Sequence, residues 1–118
     1  MNSFKFKEEH SLEERQKEAQ RILTNCPNRA PVICEPAPNS NLPALKRVKY
    51  LVPGEMLLNQ FNFMIRKGLN LSNDSALYLL SNNQSLTGNV TMRELYQRYK
   101  DKEDRFLYIY YDSELTWG

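Results

Sequence analysis

The chain carries one histidine, His10, and two cysteines, Cys26 and Cys34, among its 118 residues. General acid–base and nucleophilic catalysis need partners held within hydrogen-bond reach of one another, and a lone imidazole near one end of the chain supplies no such pair. A zinc-type site is excluded on the same count, since there is no second histidine and no close cysteine pair to act as ligands. Cys34 stands inside an apolar run and reads as a small core residue rather than an activated thiol. Glycine is equally sparse: the four, Gly54, Gly68, Gly88 and Gly118, are too scattered to form a phosphate-cradling loop. Asp101-Lys102-Glu103-Asp104 is acidic but lacks the ligand spacing and glycine of a calcium loop, so it reads as a solvated turn. No catalytic residue, metal or cofactor is expected, and the chain is not expected to be an enzyme.

Long hydrophobic runs are absent as well. Met1 to Lys7 mixes polar and aromatic residues without an apolar stretch, which fits neither a signal peptide nor a membrane span, and a cytoplasmic location is the expectation that follows. The four glycosylation-type triplets, beginning at Asn70, Asn73, Asn83 and Asn89, then have no use. In a reducing compartment Cys26 and Cys34 are expected to stay unpaired. Charge of one sign is lacking too: sixteen basic and fourteen acidic residues leave +2, too little to imply a polyanion partner, so no nucleic acid is expected.

What is present suits one folded domain, with 41% hydrophobic and 25% charged residues, close to the globular average. Phe4 to His10 is long enough for one or two helical turns packed through phenylalanine. Ser11-Leu12-Glu13-Glu14 has the form of a capping box and opens a helix to Asn25 with Leu12, Ala19, Ile22 and Leu23 on one face, stopped by Pro27 and Asn28. Ala30 to Glu35 reads as a strand buried on both faces, Pro36 to Pro43 as a loop, and Lys46 to Val52 as a second strand stopped by Pro53-Gly54. Leu57, Phe61, Met64 and Ile65 recur at helical spacing, with Gly68 placed just past the helix end. Ala76 to Leu80 reads as a third strand followed by a turn at Asn82-Asn83. Thr91-Met92-Arg93-Glu94 is another capping box, opening a helix with Met92, Leu95, Tyr96 and Tyr99 mostly inward, and Phe106 to Tyr111 is the last strand. This order predicts an α+β fold with one sheet covered by helices.

The landmarks Phe4-Lys-x-x-Glu-x-His10, Arg29-x-Pro-Val-Ile-Cys-Glu35, Lys49-Tyr-Leu-Val-Pro53, Gln60-Phe61, Ile65-Arg-Lys67, Phe106-Leu-Tyr108 and Gly118 occur in one order along nearly the whole chain. Together they resemble the autophagy ubiquitin-like modifiers of the GABARAP and microtubule-associated-protein light-chain group. The resemblance implies a ubiquitin-like β-grasp with two additional N-terminal helices: residues 1–28 as the helical extension, 29–112 as the core and 113–118 as a flexible tail. It implies conjugation through Gly118 to phosphatidylethanolamine by activating and conjugating enzymes, a cysteine protease that processes and deconjugates, and residence on the autophagosomal membrane when lipidated. Glycine suits such a link, because without a Cβ it threads a narrow channel and leaves its carboxylate unhindered.

The resemblance also implies an adaptor function, in which cargo receptors add an aromatic-x-x-aliphatic peptide as a strand along Lys49 to Val52. The aromatic pocket would be lined by Glu18, Ile22, Pro31, Ile33, Lys49, Leu51 and Phe106. The aliphatic pocket would be lined by Tyr50, Val52, Pro53, Met56, Phe61 and Met64, with Arg29, Lys46 and Arg47 as an electrostatic flank. Alternate residues of a strand point to opposite faces, so one strand serves both pockets only by lying between them. Two departures stand out. Met56 and Met64 replace branched aliphatics, and Trp117 replaces the usual phenylalanine, giving a Trp-Gly end similar to the sister modifier that is joined to a protein lysine. That sister modifier, and a non-conjugated trafficking or cytoskeletal binding module, are the alternatives.

Overall fold

The computed structural model describes residues 3–115. Within them the chain forms α1 (Lys5–Glu9), α2 (Leu12–Asn25), β1 (Arg29–Pro36), β2 (Lys49–Pro53), α3 (Leu58–Gly68), β3 (Tyr78–Ser81), β4 (Gln84–Ser85), α4 (Met92–Tyr99) and β5 (Leu107–Asp112). Both capping boxes form as their spacing predicts: Ser11 Oγ accepts from the Glu14 amide and Thr91 Oγ1 from the Glu94 amide, each at 3.1 Å, while each glutamate accepts the amide of its capping residue. Each box satisfies helix-end donors that would otherwise be left without partners.

The five strands lie in the order β2-β1-β5-β3-β4, with β1 and β5 parallel and the other pairs antiparallel. This is a ubiquitin-like α+β fold with two helices added at its N-terminus. Strand alternation divides the interior in two. Val32, Cys34, Leu107, Ile109 and Tyr111 face the main core with Phe61 and Ile65 of α3 and Met92 and Leu95 of α4. Ile33, Phe106 and Tyr108 face the other way, onto Ala19 and Ile22 of α2 and onto Phe4 and Phe6 at α1. Glu35 fastens α1 to the sheet by accepting the amides of Lys5 and Phe6 at 2.8 and 3.0 Å, and Phe4 stacks on Tyr110 with 3.8 Å between ring centroids.

Five points differ from these expectations. The second strand begins at Lys49, not Lys46, and the third spans Tyr78–Ser81. Gly68 is the last helical residue and Leu69 follows as the cap; a Cβ on Gly68 would stand 2.9 Å from Leu45, so a close approach accounts for this glycine. The strand Gln84–Ser85 was not anticipated. It exists because Asn82 and Asn83 both take left-handed backbone, with φ of 51° and 63°, and close a two-residue hairpin of the primed type. Finally, the acidic stretch 101–104 is not a solvated turn throughout, because Asp104 is fully buried.

Candidate functional site

β2 is an edge strand, paired only on its β1 side. Its register sets Val32 opposite Tyr50 and Ala30 opposite Val52, and the flanking bonds Cys34 N–H to Val48 O and Gly54 N–H to Asn28 O, both 2.9 Å, continue the same series. Hydrogen-bonded pairs alternate along an antiparallel ladder, so Tyr50 and Val52 spend their backbone groups on β1 while those of Lys49 and Leu51 point outward. The outward residues include Pro53, which has no N–H to offer and whose carbonyl is taken by the Met56 amide at 3.1 Å.

The same alternation sorts the side chains. Lys49 and Leu51 lie on the α2 face with Pro31 and Ile33 opposite them in β1. Ile22, Ile33 and Phe106 are fully buried there and form a floor, while Leu51 remains 38% exposed at the rim. Lys49 Nζ reaches Glu18 Oε1 of α2 at 2.7 Å, and Arg21 Nη2 meets the other carboxylate oxygen at 2.5 Å. Bonds from Lys49 and Arg21 hold the Glu18 carboxyl below its ordinary range. On the opposite face Tyr50 packs edge-on against Phe61, with centroids 6.4 Å apart, and Met56 and Met64 lie half-buried against the main core. Val52 and Phe61 are buried, and Pro53 is exposed at the end of the strand. Tyr50, Val52, Met56, Phe61 and Met64 thus lie on the face opposite Lys49 and Leu51, whereas alternation puts Pro53, expected with the aliphatic set, on the side of Lys49 and Leu51.

The three basic residues do not stay together. Lys46 and Arg47 precede β2 and line a cleft of about 780 Å³ that continues from Lys49 and Leu51 toward α1. Arg29 lies at the other end of the edge, opposite Pro53, and its Nη1 donates to the Leu51 carbonyl at 2.8 Å. The cleft also takes in Phe6, His10, Ala44, Leu45 and Val48. Sequence reasoning did not assign these to a site. They come from an N-terminal helix and a loop that only the fold brings beside β2, and no spacing in the chain signals it.

A second cluster ties the extension to the sheet. The Asp104 carboxylate, fully buried, accepts from Arg15 Nη1 of α2 at 2.6 Å, from the Tyr108 hydroxyl at 2.5 Å and from the Phe106 amide at 2.9 Å. Burial, and then the neighbouring Asp104 carboxylate, push the Tyr108 phenol well above its ordinary range. Burial likewise raises the Cys34 thiol, a change opposite to what an activated nucleophile needs. Among the described residues no group of three or more His, Cys, Asp or Glu is placed to hold a metal ion, and no helix is long and apolar enough to cross a membrane. Gly118 and Trp117 lie outside the described residues.

An open strand edge set between two apolar patches can accept a further strand, with backbone groups supplying the bonds and the patches supplying selectivity. The family model described as autophagy protein Atg8, ubiquitin-like, matches residues 14–118. The chain belongs to the Atg8 family. It is 45% identical over 113 residues to autophagy-related protein 8D of Oryza sativa subsp. japonica, an alignment covering 96% of each chain. Its structure superposes on the crystal structure of Trypanosoma brucei ATG8 with a TM-score of 0.89 at 37% identity, over 99% of this chain and 100% of that one. As an Atg8 chain it is a ubiquitin-like autophagy protein, and its sheet edge and N-terminal helices belong to a fold shared over the full length of that relative.

Proposed function

We propose that this Atg8 chain is a conjugated modifier and adaptor: the Gly118 carboxylate becomes linked to the amine of phosphatidylethanolamine, and the β2 edge receives aromatic-x-x-aliphatic peptides of cargo receptors. The observation that supports the adaptor function best is the placement of Lys49 and Leu51, with outward backbone groups, between two apolar patches on opposite faces. On this reading the ligand's aromatic residue seats over Ile22, Ile33 and Phe106 beneath Leu51. Its aliphatic residue seats beside Tyr50, Met56 and Met64, whose flexible thioethers let that patch adapt to different shapes. Lys46 and Arg47 at one end, and Arg29 at the other, attract acidic residues flanking the ligand.

The chain itself performs no catalysis on this reading. Activating and conjugating enzymes supply ATP-dependent chemistry, a cysteine protease processes and removes the conjugate, and the protein moves from the cytoplasm to the autophagosomal membrane once lipidated. Trp117 supports a second reading, in which the target is a protein lysine. The test is incubation with activating and conjugating enzymes, ATP and liposomes containing phosphatidylethanolamine, beside Gly118→Ala. A lipid adduct formed by the wild type and lost in the variant supports the proposal. Linkage to a protein with no lipid adduct overturns it in favour of the second reading.

A further inference from the structure

We infer that Arg29 plugs the strand-receiving edge in the free protein, so that an incoming strand must displace its guanidinium from the Leu51 carbonyl before backbone pairing along β2 is complete. The inference rests on the edge-binding reading above and adds a competition within the site.

The outward groups of β2 can be accounted for one by one. The Pro53 carbonyl is held by the Met56 amide, and Pro53 has no N–H. Lys49 presents its N–H and carbonyl, and Leu51 its N–H, without a partner in the ladder. The remaining outward acceptor, the Leu51 carbonyl, is occupied by Arg29 Nη1 at 2.8 Å. A strand lying along Lys49 to Val52 therefore meets free groups at the Lys49 end and an occupied acceptor at the Leu51 end. Unpaired edges invite unwanted strand pairing, and a charged side chain that covers one of them suppresses it.

Arg29 can leave that post. Its side chain is exposed, and among the described residues it forms no ion pair that would hold it. On displacement the guanidinium keeps its charge and stays tethered by β1 opposite Pro53, at the end of the edge away from Lys46 and Arg47. A ligand with a carboxylate at that end gives the released guanidinium a charge-assisted partner. A ligand without one leaves it with water alone. Arg29 therefore disfavours neutral strands while accepting acidic ones, which is selectivity built from a penalty as well as an attraction.

The experiment is titration calorimetry with two synthetic aromatic-x-x-aliphatic peptides, one with neutral flanks and one with glutamates beyond the aliphatic residue. The protein is wild type, Arg29→Ala, Arg29→Met, which keeps the apolar stem but has no donor, and Leu51→Ala. The neutral peptide is expected to bind Arg29→Ala and Arg29→Met two- to fivefold more tightly than wild type. The acidic peptide is expected to bind both of them more weakly than wild type. Equal or weaker binding of the neutral peptide to both Arg29 variants overturns the plug. If instead neither peptide responds to Leu51→Ala, the peptides do not use this edge, and the edge-binding reading itself falls.

Discussion

Arg15 and Asp104 meet at 2.6 Å although they stand 89 positions apart in the chain, and the contact fastens α2 to the turn that feeds β5. Asp104 is wholly buried and Arg15 nearly so. Removing one partner of such a pair leaves an uncompensated charge in a dry environment, at a cost of about 3–5 kcal/mol. Arg15→Ala is therefore expected to lower the unfolding free energy by about 3 kcal/mol in urea denaturation. Arg15→Ala combined with Asp104→Ala should cost less than the two changes summed, because the stranded charge is gone. Additive losses would show that the pair is not coupled.

Lys7 Nζ lies 2.7 Å from Asp101 Oδ2 and 4.6 Å from the centre of the Tyr108 ring, which makes it the charged anchor of α1. Burial by itself raises the Asp101 pKa. The bond from Lys7 and those from the Asp104 and Glu103 amides outweigh it, so the group titrates below its ordinary 3.8. The carboxylate thus contributes stability that is fully present above 3.8 and is lost as pH falls through the lower folded-state value. Lys7→Ala should move the Asp101 titration upward, read from its side-chain carboxyl by NMR. An unmoved titration would show that the backbone amides alone set it.

Leu51 is the exposed apolar residue at the centre of the open edge. Covering it with a ligand side chain is worth about 1–1.5 kcal/mol by apolar area, or about tenfold in affinity. Leu51→Ala, alone or with Lys49→Ala, should weaken binding of an aromatic-x-x-aliphatic peptide by that factor while leaving thermal stability within about 0.5 kcal/mol. Calorimetry that returns the wild-type affinity would place the peptide elsewhere on the molecule.

Gly54 accommodates the Arg93 guanidinium, whose Cζ and Nη2 would stand 2.5 Å from any Cβ added there. The backbone at Gly54 is not left-handed, so the obstacle is the neighbour rather than the conformation. Gly54→Ala is expected to cost at most about 1 kcal/mol in the wild type, because the atoms in the way are the far end of a flexible side chain that can shift. In an Arg93→Ala background the same change should be neutral or stabilising by about 0.4–1 kcal/mol, since alanine restricts the unfolded chain more than glycine does. The same cost in both backgrounds would exclude the guanidinium as the cause.

The two cysteines should separate by reactivity. Cys34 is 1% exposed with a thiol pushed up by burial, whereas Cys26 is half-buried at the end of α2. Native protein is expected to take up one equivalent of iodoacetamide quickly, at Cys26, and a second only on unfolding. Rapid modification of Cys34 under native conditions, located by mass spectrometry, would contradict its packing.

By itself the sequence determined the kinds and order of most elements, because those follow from interactions within a few residues. Ser11 with Glu14 and Thr91 with Glu94 set helix starts three residues at a time, and the period of two in Lys49 to Val52 and Phe106 to Tyr111 divides the side chains between two faces. β4 escaped this reading because Gln84 and Ser85 are polar and exposed and carry no alternation; they pair only since two asparagines turn the chain back. The tertiary structure decided that β2 lies at a sheet edge, that Asp104 is a buried anchor rather than part of a solvated turn, and that the basic residues stand at opposite ends of β2. It alone set Arg29 over the Leu51 carbonyl. The Arg29–Leu51 and Arg15–Asp104 contacts, for instance, join residues 22 and 89 positions apart. Such contacts arise when apolar faces are buried against one another, and no local spacing encodes them.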